Sequence, residues 1–277
     1  RIMHADLDAY LARQPVAPTP PPGAAPPAPM PVSARPAPVI APNATDEVES
    51  VAVIGLRRRI AMQMQEAKRR IPHFAYVEQV DVTDLEALRA ELNARHAATR
   101  GKLTLLPFVM RAMVRALREF PQINARFDDE KGIVARHRSV HLGVATQTDA
   151  GLMVPVVRHA QALDLWATAA EVARLAELAR AGRITRGELT GSTITLTSLG
   201  PLGGIVTTPI INAPEVAIVG VNRIVEQWVM RGGALVERLM MNLSSSFDHR
   251  VVDGMDAARF IQAVRASLEA PATLFID

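Results

Sequence analysis

A proline- and alanine-rich segment from residue 14 to residue 47 constrains the fold of this chain more than any other feature. It holds 12 of the 20 prolines in 277 residues. Proline fixes φ and lacks a backbone N–H donor, so such a segment favours an extended, polyproline-like conformation and is excluded from helix interiors and central strands. The sequence therefore predicts a disordered Pro/Ala linker over residues 14–47 that separates two other parts of the chain.

The parts on either side of this linker differ in size. Residues 48–277 are long enough for one large domain with its own core. Residues 1–13 predict a short amphipathic helix whose apolar face carries Ile2, Leu7, Tyr10 and Leu11. Because a helix of that length is marginal alone, we expect residues 1–13 to be the C-terminal remnant of a small domain whose remainder lies upstream.

Helical and strand patterns are mixed within residues 48–277. Five stretches have helical spacing of apolar residues: 53–70, 83–97, 103–120, 163–181 and 255–269. Eight runs are strand-like: 73–82, 123–127, 132–137, 140–147, 152–157, 192–198, 215–225 and 235–247. Thr83 and Glu86 have the spacing of a capping box at the start of the second helix. Strict strand–helix alternation is absent, so the pattern predicts an α/β sandwich with a mixed sheet.

The composition excludes several classes of function. The chain has no cysteine, which rules out a disulfide framework, a Cys-based zinc site and a catalytic thiol, and which fits a reducing compartment. A net charge of +3 and 4% aromatic residues argue against a nucleic-acid partner. No apolar run reaches membrane-spanning length. His137 and His141 have the i, i+4 spacing of metal ligands but fall in strand-like sequence, where they would not face a common metal. We therefore expect neither a membrane partner nor a metal site.

The stretch from Ser244 to Gly254 is the strongest candidate for chemistry. It places His249 between Asp248 and Asp253, after a predicted strand and before a predicted helix. Histidine is the side chain best suited to proton transfer near neutral pH. The alternative is structural, with Asp253 as a helix N-cap and His249 as a turn residue. The two roles of Asp253 are compatible with each other.

A second candidate is the run from Gly191 to Gly200, in which hydroxyl and apolar side chains alternate. In a strand, Thr193, Thr195 and Thr197 share one face. Threonine is also a common strand former, so the alternation by itself has a structural explanation. Thr197 ends the run beside a glycine-rich turn, where a hydroxyl is well placed to donate a hydrogen bond to a ligand.

These two stretches resemble the dihydrolipoamide acyltransferase components of 2-oxo-acid dehydrogenase complexes. The resemblance lies in Thr-Leu-Thr-Ser-Leu-Gly-x-Leu-Gly-Gly at 195–204 and Asp-His-Arg-Val-Val-Asp-Gly at 248–254. Three further stretches match the same family in order, at 71–74, 151–157 and 212–218. The resemblance covers residues 48–277, and residues 1–13 resemble the end of the family's peripheral subunit-binding domain.

The resemblance implies a fold, a reaction and three site residues. The fold is a two-layer α/β sandwich like that of chloramphenicol acetyltransferase, assembled as a trimer with the active site between subunits. The reaction is transfer of an acyl group between the lipoyl thiol and coenzyme A. By position, His249 matches the catalytic histidine and Thr197 a conserved hydroxyl, which is serine in many members. Asp253 matches the second aspartate of the motif and is expected to position the loop and the histidine.

The resemblance also implies contacts for coenzyme A, which is a substrate. Its phosphates call for basic residues, and Arg57, Arg58 and Arg59 are candidates, with a solvated helix face as the alternative. Asn124 and Ser198 are further expected contacts. The lipoyl group is expected on a domain upstream of this chain.

Substrate and partners follow from the same resemblance. The stretches at 73–78 and 207–209 look most like bacterial branched-chain members, which implies isobutyryl, isovaleryl and 2-methylbutyryl groups, with acetyl as the alternative. We expect a cytoplasmic homotrimer that assembles, through the apolar terminus Leu274–Ile276, into a 24-subunit core. The expected partners are the 2-oxo-acid decarboxylase/dehydrogenase and dihydrolipoamide dehydrogenase components. A catalytically silent scaffold and a stand-alone acetyltransferase for a small acceptor remain alternatives.

Overall fold

The computed structural model describes His4 and residues 48–276. The predicted linker over residues 14–47 lies outside the described residues. So does the predicted helix over residues 1–13, apart from His4. From Ala52 onward the chain forms one compact unit. None of the helices in residues 48–276 has both the length and the apolar character that a membrane crossing requires.

The secondary structure of residues 48–276 follows the predicted order. Its α-helices are α1 (Gly55–Arg70), α2 (Thr83–Arg100), α3 (Leu106–Glu119), α4 (Leu165–Arg180) and α5 (Gly254–Glu269). Its strands are β1 (His73–Asp81), β2 (Ala125–Asp128), β3 (Ile133–Arg136), β4 (Leu142–Val144), β5 (Thr146–Thr148), β6 (Gly151–Met153), β7 (Val156–Val157), β8 (Ile194–Ser198), β9 (Ala217–Arg231) and β10 (Ala234–Asp248). Short 3₁₀ turns span Ala160–Ala162, Arg186–Leu189, Gly200–Leu202 and Pro271–Phe275.

Six of the strands form one mixed sheet. Their order is β1-β10-β9-β8-β4-β7, in which β8 runs parallel to both β9 and β4 and the other neighbours are antiparallel. β9 and β10 are a hairpin of two 15-residue strands. β2 pairs with β3, and β5 with β6, in two small separate sheets.

The two faces of the six-stranded sheet have different surroundings. Helices α2 to α5 contact one another, and they share one apolar core with inward residues such as Leu196, Val219 and Phe247. Because side chains alternate across a strand, Ile218 points to the other face, where it packs with Ile211 in a smaller cluster that includes the end of α1. The predicted two-layer α/β sandwich with a mixed sheet is confirmed.

Several local predictions are corrected by tertiary contacts. Thr83 and Glu86 form no capping box: the Thr83 hydroxyl donates to Asp81 at 2.7 Å and accepts from the backbone N–H of Leu239 at 2.8 Å. The Glu86 carboxylate pairs with Arg89 instead. The predicted helix forms nonetheless, because its N-terminus is held by the neighbouring hairpin.

Two predicted strands are each divided in two. The run 140–147 leaves the main sheet after Val144 and continues as β5 in a separate hairpin with β6. The run 152–157 is interrupted by Pro155, which has no N–H for a sheet ladder. The apolar C-terminus is only partly exposed: Leu274 is fully buried in the core of its own chain, while Phe275 and Ile276 are half-exposed or more.

Candidate functional site

His249 lies on the turn directly after β10. Its backbone N–H donates to the Pro72 carbonyl at 3.2 Å, and its ring lies against Phe74 with centroids 4.4 Å apart. The backbone N–H groups of Val251 and Val252 both donate to the Asp248 carbonyl and close the turn. His249 itself is exposed, so a fixed backbone presents its imidazole at the surface of the single chain.

An ion pair between the two neighbours of His249 supports the turn. The Asp248 carboxylate is 1% exposed and accepts from Arg250 Nε at 2.9 Å and Nη2 at 2.7 Å. This hydrogen bonding raises the pKa of Arg250. Arg250 also contacts Asp129 at 3.3 Å and lies over the Phe127 ring. A buried carboxylate needs such pairing, so Asp248 and Arg250 serve the geometry of the turn.

Asp253 is the N-cap of α5. Its Oδ1 accepts from the backbone N–H of Asp256 at 2.9 Å, and its φ and ψ are those of extended backbone. An N-cap aspartate satisfies one of the free N–H groups at a helix start. The contact that the structure gives to the Asp253 carboxylate is therefore the cap, and a role in positioning His249 remains a prediction.

Thr197 lies at the carboxyl end of β8 and lines a cavity of about 290 Å³. The walls include the apolar side chains of Leu152, Leu199, Pro209 and Val221. Gly220 on β9 lies opposite Thr197, and a Cβ there would stand 2.8 Å from the Ser244 carbonyl and 3.6 Å from Thr197 Cγ2. The absence of a side chain at Gly220 therefore permits the close strand packing that positions the threonine.

Thr197 and His249 do not meet within one chain. Because β8 is parallel to β9 and β9 is antiparallel to β10, β8 and β10 run in opposite directions and their carboxyl ends point away from each other. Thr197 aligns with Gly220, and Gly220 with Ser244, which precedes His249 by five residues. Strands about 4.8 Å apart that rise about 3.4 Å per residue put the two Cα atoms roughly 20 Å apart.

The predicted coenzyme A contacts lie in different places. Arg57, Arg58 and Arg59 are exposed in the first two turns of α1. The next residue, Ile60, reaches Gly151 beside the Thr197 cavity, so the basic run lies on that side of the molecule. Ser198 lines the same cavity and also a neighbouring one of about 810 Å³, to which Lys102 and Arg223 belong.

Asn124 is buried, at 2% exposure, rather than lining either of these cavities. Its Nδ2 donates to the His137 carbonyl at 2.7 Å and to the Ser139 carbonyl at 3.1 Å. These bonds tie the segment before β2 to the segment after β3. The contacts that the structure gives to Asn124 are therefore structural, and a contact with coenzyme A remains a prediction.

Sequence reasoning assigned no role to Glu215, a buried carboxyl directly before β9. It is 2% exposed and accepts hydrogen bonds from Ser192, from Thr195 Oγ1 at 2.6 Å and from Asn212 Nδ2 at 2.9 Å. Burial raises the pKa of Glu215 to about 7. An acidic residue inside the otherwise uncharged stretch 212–222 was the available signal in the sequence.

The site can perform proton transfer and hydrogen bonding, but from two separate places. An exposed imidazole on a fixed turn can act as a general base. A hydroxyl beside an apolar cavity can stabilise a developing oxyanion. Since strand geometry puts the two roughly 20 Å apart, one chain alone presents two separate candidate half-sites.

Comparison with known proteins identifies relatives over nearly all of the described residues. Residues 45–276 match the family model of 2-oxoacid dehydrogenases acyltransferase (catalytic domain). The lipoamide acyltransferase component of the branched-chain alpha-keto acid dehydrogenase complex of Pseudomonas aeruginosa is 63% identical over 277 residues. That match covers 100% of this chain and 61% of the relative, so the chain spans about three fifths of the length of that protein.

Two solved structures are similar in fold as well as in sequence. Dihydrolipoamide acetyltransferase of Azotobacter vinelandii is 38% identical with a TM-score of 0.79, over 83% of this chain and 95% of that one. The cubic core of a pyruvate dehydrogenase multienzyme complex is 37% identical with a TM-score of 0.80, over 87% of this chain and 100% of that one. The chain belongs to the family of 2-oxoacid dehydrogenase acyltransferases, of which it carries the catalytic domain.

Proposed function

We propose that this chain transfers an acyl group from acyl-dihydrolipoamide to coenzyme A, with His249 as general base and Thr197 as oxyanion donor. The observation that carries the proposal is the pairing of an exposed, fixed imidazole with a cavity-lining hydroxyl. The structure of the Azotobacter vinelandii enzyme was determined to study a serine, a histidine and an asparagine in catalysis. Those residues have the spacing of Thr197, His249 and Asp253, namely 52 and four positions.

The reaction begins with the thiol of coenzyme A. Thiols titrate near ~8.5, so a small fraction is thiolate at neutral pH without a base. The neutral imidazole of His249 accepts the thiol proton, and the thiolate attacks the thioester carbonyl of acyl-dihydrolipoamide. The Thr197 hydroxyl donates a hydrogen bond to the oxyanion. Collapse breaks the bond to the lipoyl sulfur, which takes the proton back from the His249 imidazolium.

The distance between Thr197 and His249 requires two chains for each site. A hydrogen bond from Thr197 reaches about 3 Å, whereas its own His249 lies roughly 20 Å away by strand geometry. We therefore propose that His249 of one subunit meets Thr197 of the next in a cyclic homotrimer, which closes three equivalent sites. The side chains of Phe275 and Ile276 are at least half exposed. We propose that they form the surface that joins trimers into a larger, 24-subunit core.

Branched acyl groups are the proposed substrates, with acetyl as the alternative. The supporting observation is the 63% identity to a branched-chain lipoamide acyltransferase component, against 38% to an acetyltransferase. One methylene contributes only about 1–3 kcal/mol of discrimination in an apolar pocket, so the preference is quantitative. The proposed partners are the decarboxylase/dehydrogenase and dihydrolipoamide dehydrogenase components, and the lipoyl group would be supplied by a domain outside this chain.

Co-expression of two inactive variants tests the shared site. His249→Ala retains Thr197, and Thr197→Ala retains His249, so a mixed trimer rebuilds an intact site wherever the two kinds of subunit meet in the right order. Random mixing in a three-fold ring makes about one quarter of the sites intact. We expect the co-expressed pair to recover about that fraction of wild-type transfer from isobutyryl-dihydrolipoamide to coenzyme A, and to transfer acetyl more slowly.

The controls separate the alternatives. Mixing the purified variants without subunit exchange should leave the rate at the average of the two separate variants. Recovery that depends on co-expression supports the shared site, whereas no recovery in verified mixed trimers contradicts it. A wild-type protein with no transfer to coenzyme A would instead support a silent scaffold.

A further inference from the structure

The start of β1 holds the His249 turn through two residues. The Pro72 carbonyl accepts the backbone N–H of His249 at 3.2 Å. The Phe74 ring packs against the imidazole, with centroids 4.4 Å apart and planes inclined by 44°. His73 lies between them and pairs in register with Asp248. The place of the His249 ring therefore depends on where β1 begins.

Both ring nitrogens of His73 form hydrogen bonds that hold the first residues of β1 in place. The backbone N–H of Ile211 donates to Nε2 at 3.0 Å, so Nε2 acts as an acceptor and carries no proton. The proton of the neutral ring is then on Nδ1, which lies 2.9 Å from the Ile71 carbonyl and donates to it. A neutral imidazole at position 73 thus ties the loop before β9 to the first residues of β1.

The partner of this contact is itself firmly held. Ile211 is fully buried, and it packs with Ala67, Ile71 and Ile218 in the small cluster on the far face of the sheet. The side chain of the next residue, Asn212, donates to the buried Glu215. The loop therefore holds the Ile211 N–H in one position. His73 must offer this N–H an unprotonated Nε2.

Protonation of His73 removes that acceptor. In the imidazolium both nitrogens are donors, so the Nε2–H would face the Ile211 N–H. Burial lowers the pKa of His73, the positive charge of Lys68 on α1 acts in the same direction, and the Ile71 carbonyl and Asp248 on β10 oppose them. Asp248 is already bound by Arg250, which limits its attraction for a second cation.

We propose that neutral His73 is a positioning residue for acyl transfer, which orients the His249 imidazole through Pro72 and Phe74 without touching either substrate. The inference rests on the proposed function and adds a second histidine whose protonation stops turnover. A displacement of about 1 Å in a reacting group costs about 10²-fold in rate, so a modest shift at the start of β1 is enough.

Three variants of the full chain test the inference. His73→Leu removes both hydrogen bonds, and His73→Gln keeps an acceptor that reaches the Ile211 N–H. His96→Gln is the matched control, because His96 packs edge-on against Trp166 in the helical layer. The measurements are kcat and the KM for coenzyme A between about pH 5.5 and about pH 8.5, with assembly verified by light scattering.

We expect His73→Leu to lower kcat by about 10- to 100-fold, with KM changed less than about twofold. We expect His73→Gln to recover most of kcat and to lose activity less steeply than wild type as pH falls, because one protonation is missing. His96→Gln should follow wild type throughout.

Three results would overturn the inference: a wild-type kcat in both His73 variants, an equal loss at every pH in both, or a change confined to KM. If His73→Leu fails to assemble, the test is the pH dependence of kcat in His73→Gln compared with that in His96→Gln. Inactivity of wild type and His96→Gln would refute the proposed acyl transfer rather than the role of His73.

Discussion

The turn that carries His249 and the strand end that carries Thr197 are held in different ways. The turn is fixed by groups next to it in sequence, the Asp248–Arg250 ion pair and the Asp253 cap, together with the start of β1. The strand end is fixed by long-range packing: β8 lies between β9 and β4 and is buried from Ile194 to Leu196.

Because of this difference, the position of His249 and the position of Thr197 should respond differently to substitutions. The His249 turn depends on a short segment and one strand partner, so local substitutions should shift it. The position of Thr197 depends on the whole sheet, so substitutions that perturb it should also reduce stability. The following predictions test this division, from the largest expected effect to the smallest.

Removal of the proposed general base should have the largest effect. His249→Ala should lower kcat by about 10² to 10⁴-fold, since this is the usual contribution of general-base catalysis. Thr197→Ala should cost about 10² to 10³-fold as a lost oxyanion donor, and Thr197→Ser should retain most of the rate because the hydroxyl remains. Steady-state rates with isobutyryl-dihydrolipoamide and coenzyme A measure all three. A Thr197→Ser variant as slow as Thr197→Ala would show that the hydroxyl is not the functional group.

The buried carboxyl of Glu215, which binds Thr195 on β8, should make stability depend on pH. Burial raises the pKa of Glu215 from 4.5 to about 7, so the folded state holds a proton that the unfolded state releases. This contribution to stability is full below about pH 4.5 and is lost as pH rises through about 7, to a total of about 3 kcal/mol. His73, whose pKa is lowered, acts in the opposite sense: its contribution is present above about pH 6.5 and is lost as pH falls.

Glu215→Gln isolates the carboxyl from the histidine. The oxygen of an amide can accept from Ser192 and Asn212, and its NH₂ group can donate to the Thr195 hydroxyl, which can accept as well as donate. Relative to wild type, the variant should gain stability as pH rises from about 5 to about 8, by up to about 3 kcal/mol. Denaturant midpoints at fixed subunit concentration measure the difference. If the difference in stability between Glu215→Gln and wild type did not change with pH, Glu215 would be ionised in its buried position.

The smallest effect is expected at the helix cap beside His249. Asp253→Ala should reduce stability by about 1 kcal/mol, because it leaves the Asp256 N–H without its cap. Asp253→Ser should stay within a few tenths of a kcal/mol of wild type, because serine is an equally good N-cap. Denaturant unfolding of the two variants in parallel gives the comparison. Equal losses would assign to Asp253 a contact other than the cap.

The candidate residues of the His249 turn could be singled out because their signals are local. Asp248, His249 and Asp253 fall within one turn motif, and Asp253 also has the spacing of a cap before a helical pattern. The helices and the long strands follow from apolar periodicity. Capping at Thr83 was not predictable, because the competing partner, Leu239, is distant in sequence.

The relation between the two half-sites was not predictable from residue patterns. The distance between Thr197 and His249 depends on the direction of β8 relative to β10. That direction is set by the crossover between β8 and β9. The contacts of His73 and Glu215 were missed for a similar reason. Their partners, Ile211 and Ser192, approach them only in the folded sheet.

Under the proposed shared site, the separation of Thr197 from His249 within one chain makes turnover a measure of association. A perfectly folded lone chain would be inert, so specific activity should collapse on dilution below the dissociation constant of the complex while circular dichroism stays unchanged. Mutations that weaken subunit contacts far from either residue would then register as lost catalysis. For a site built in this way, an activity assay doubles as a reporter of quaternary structure.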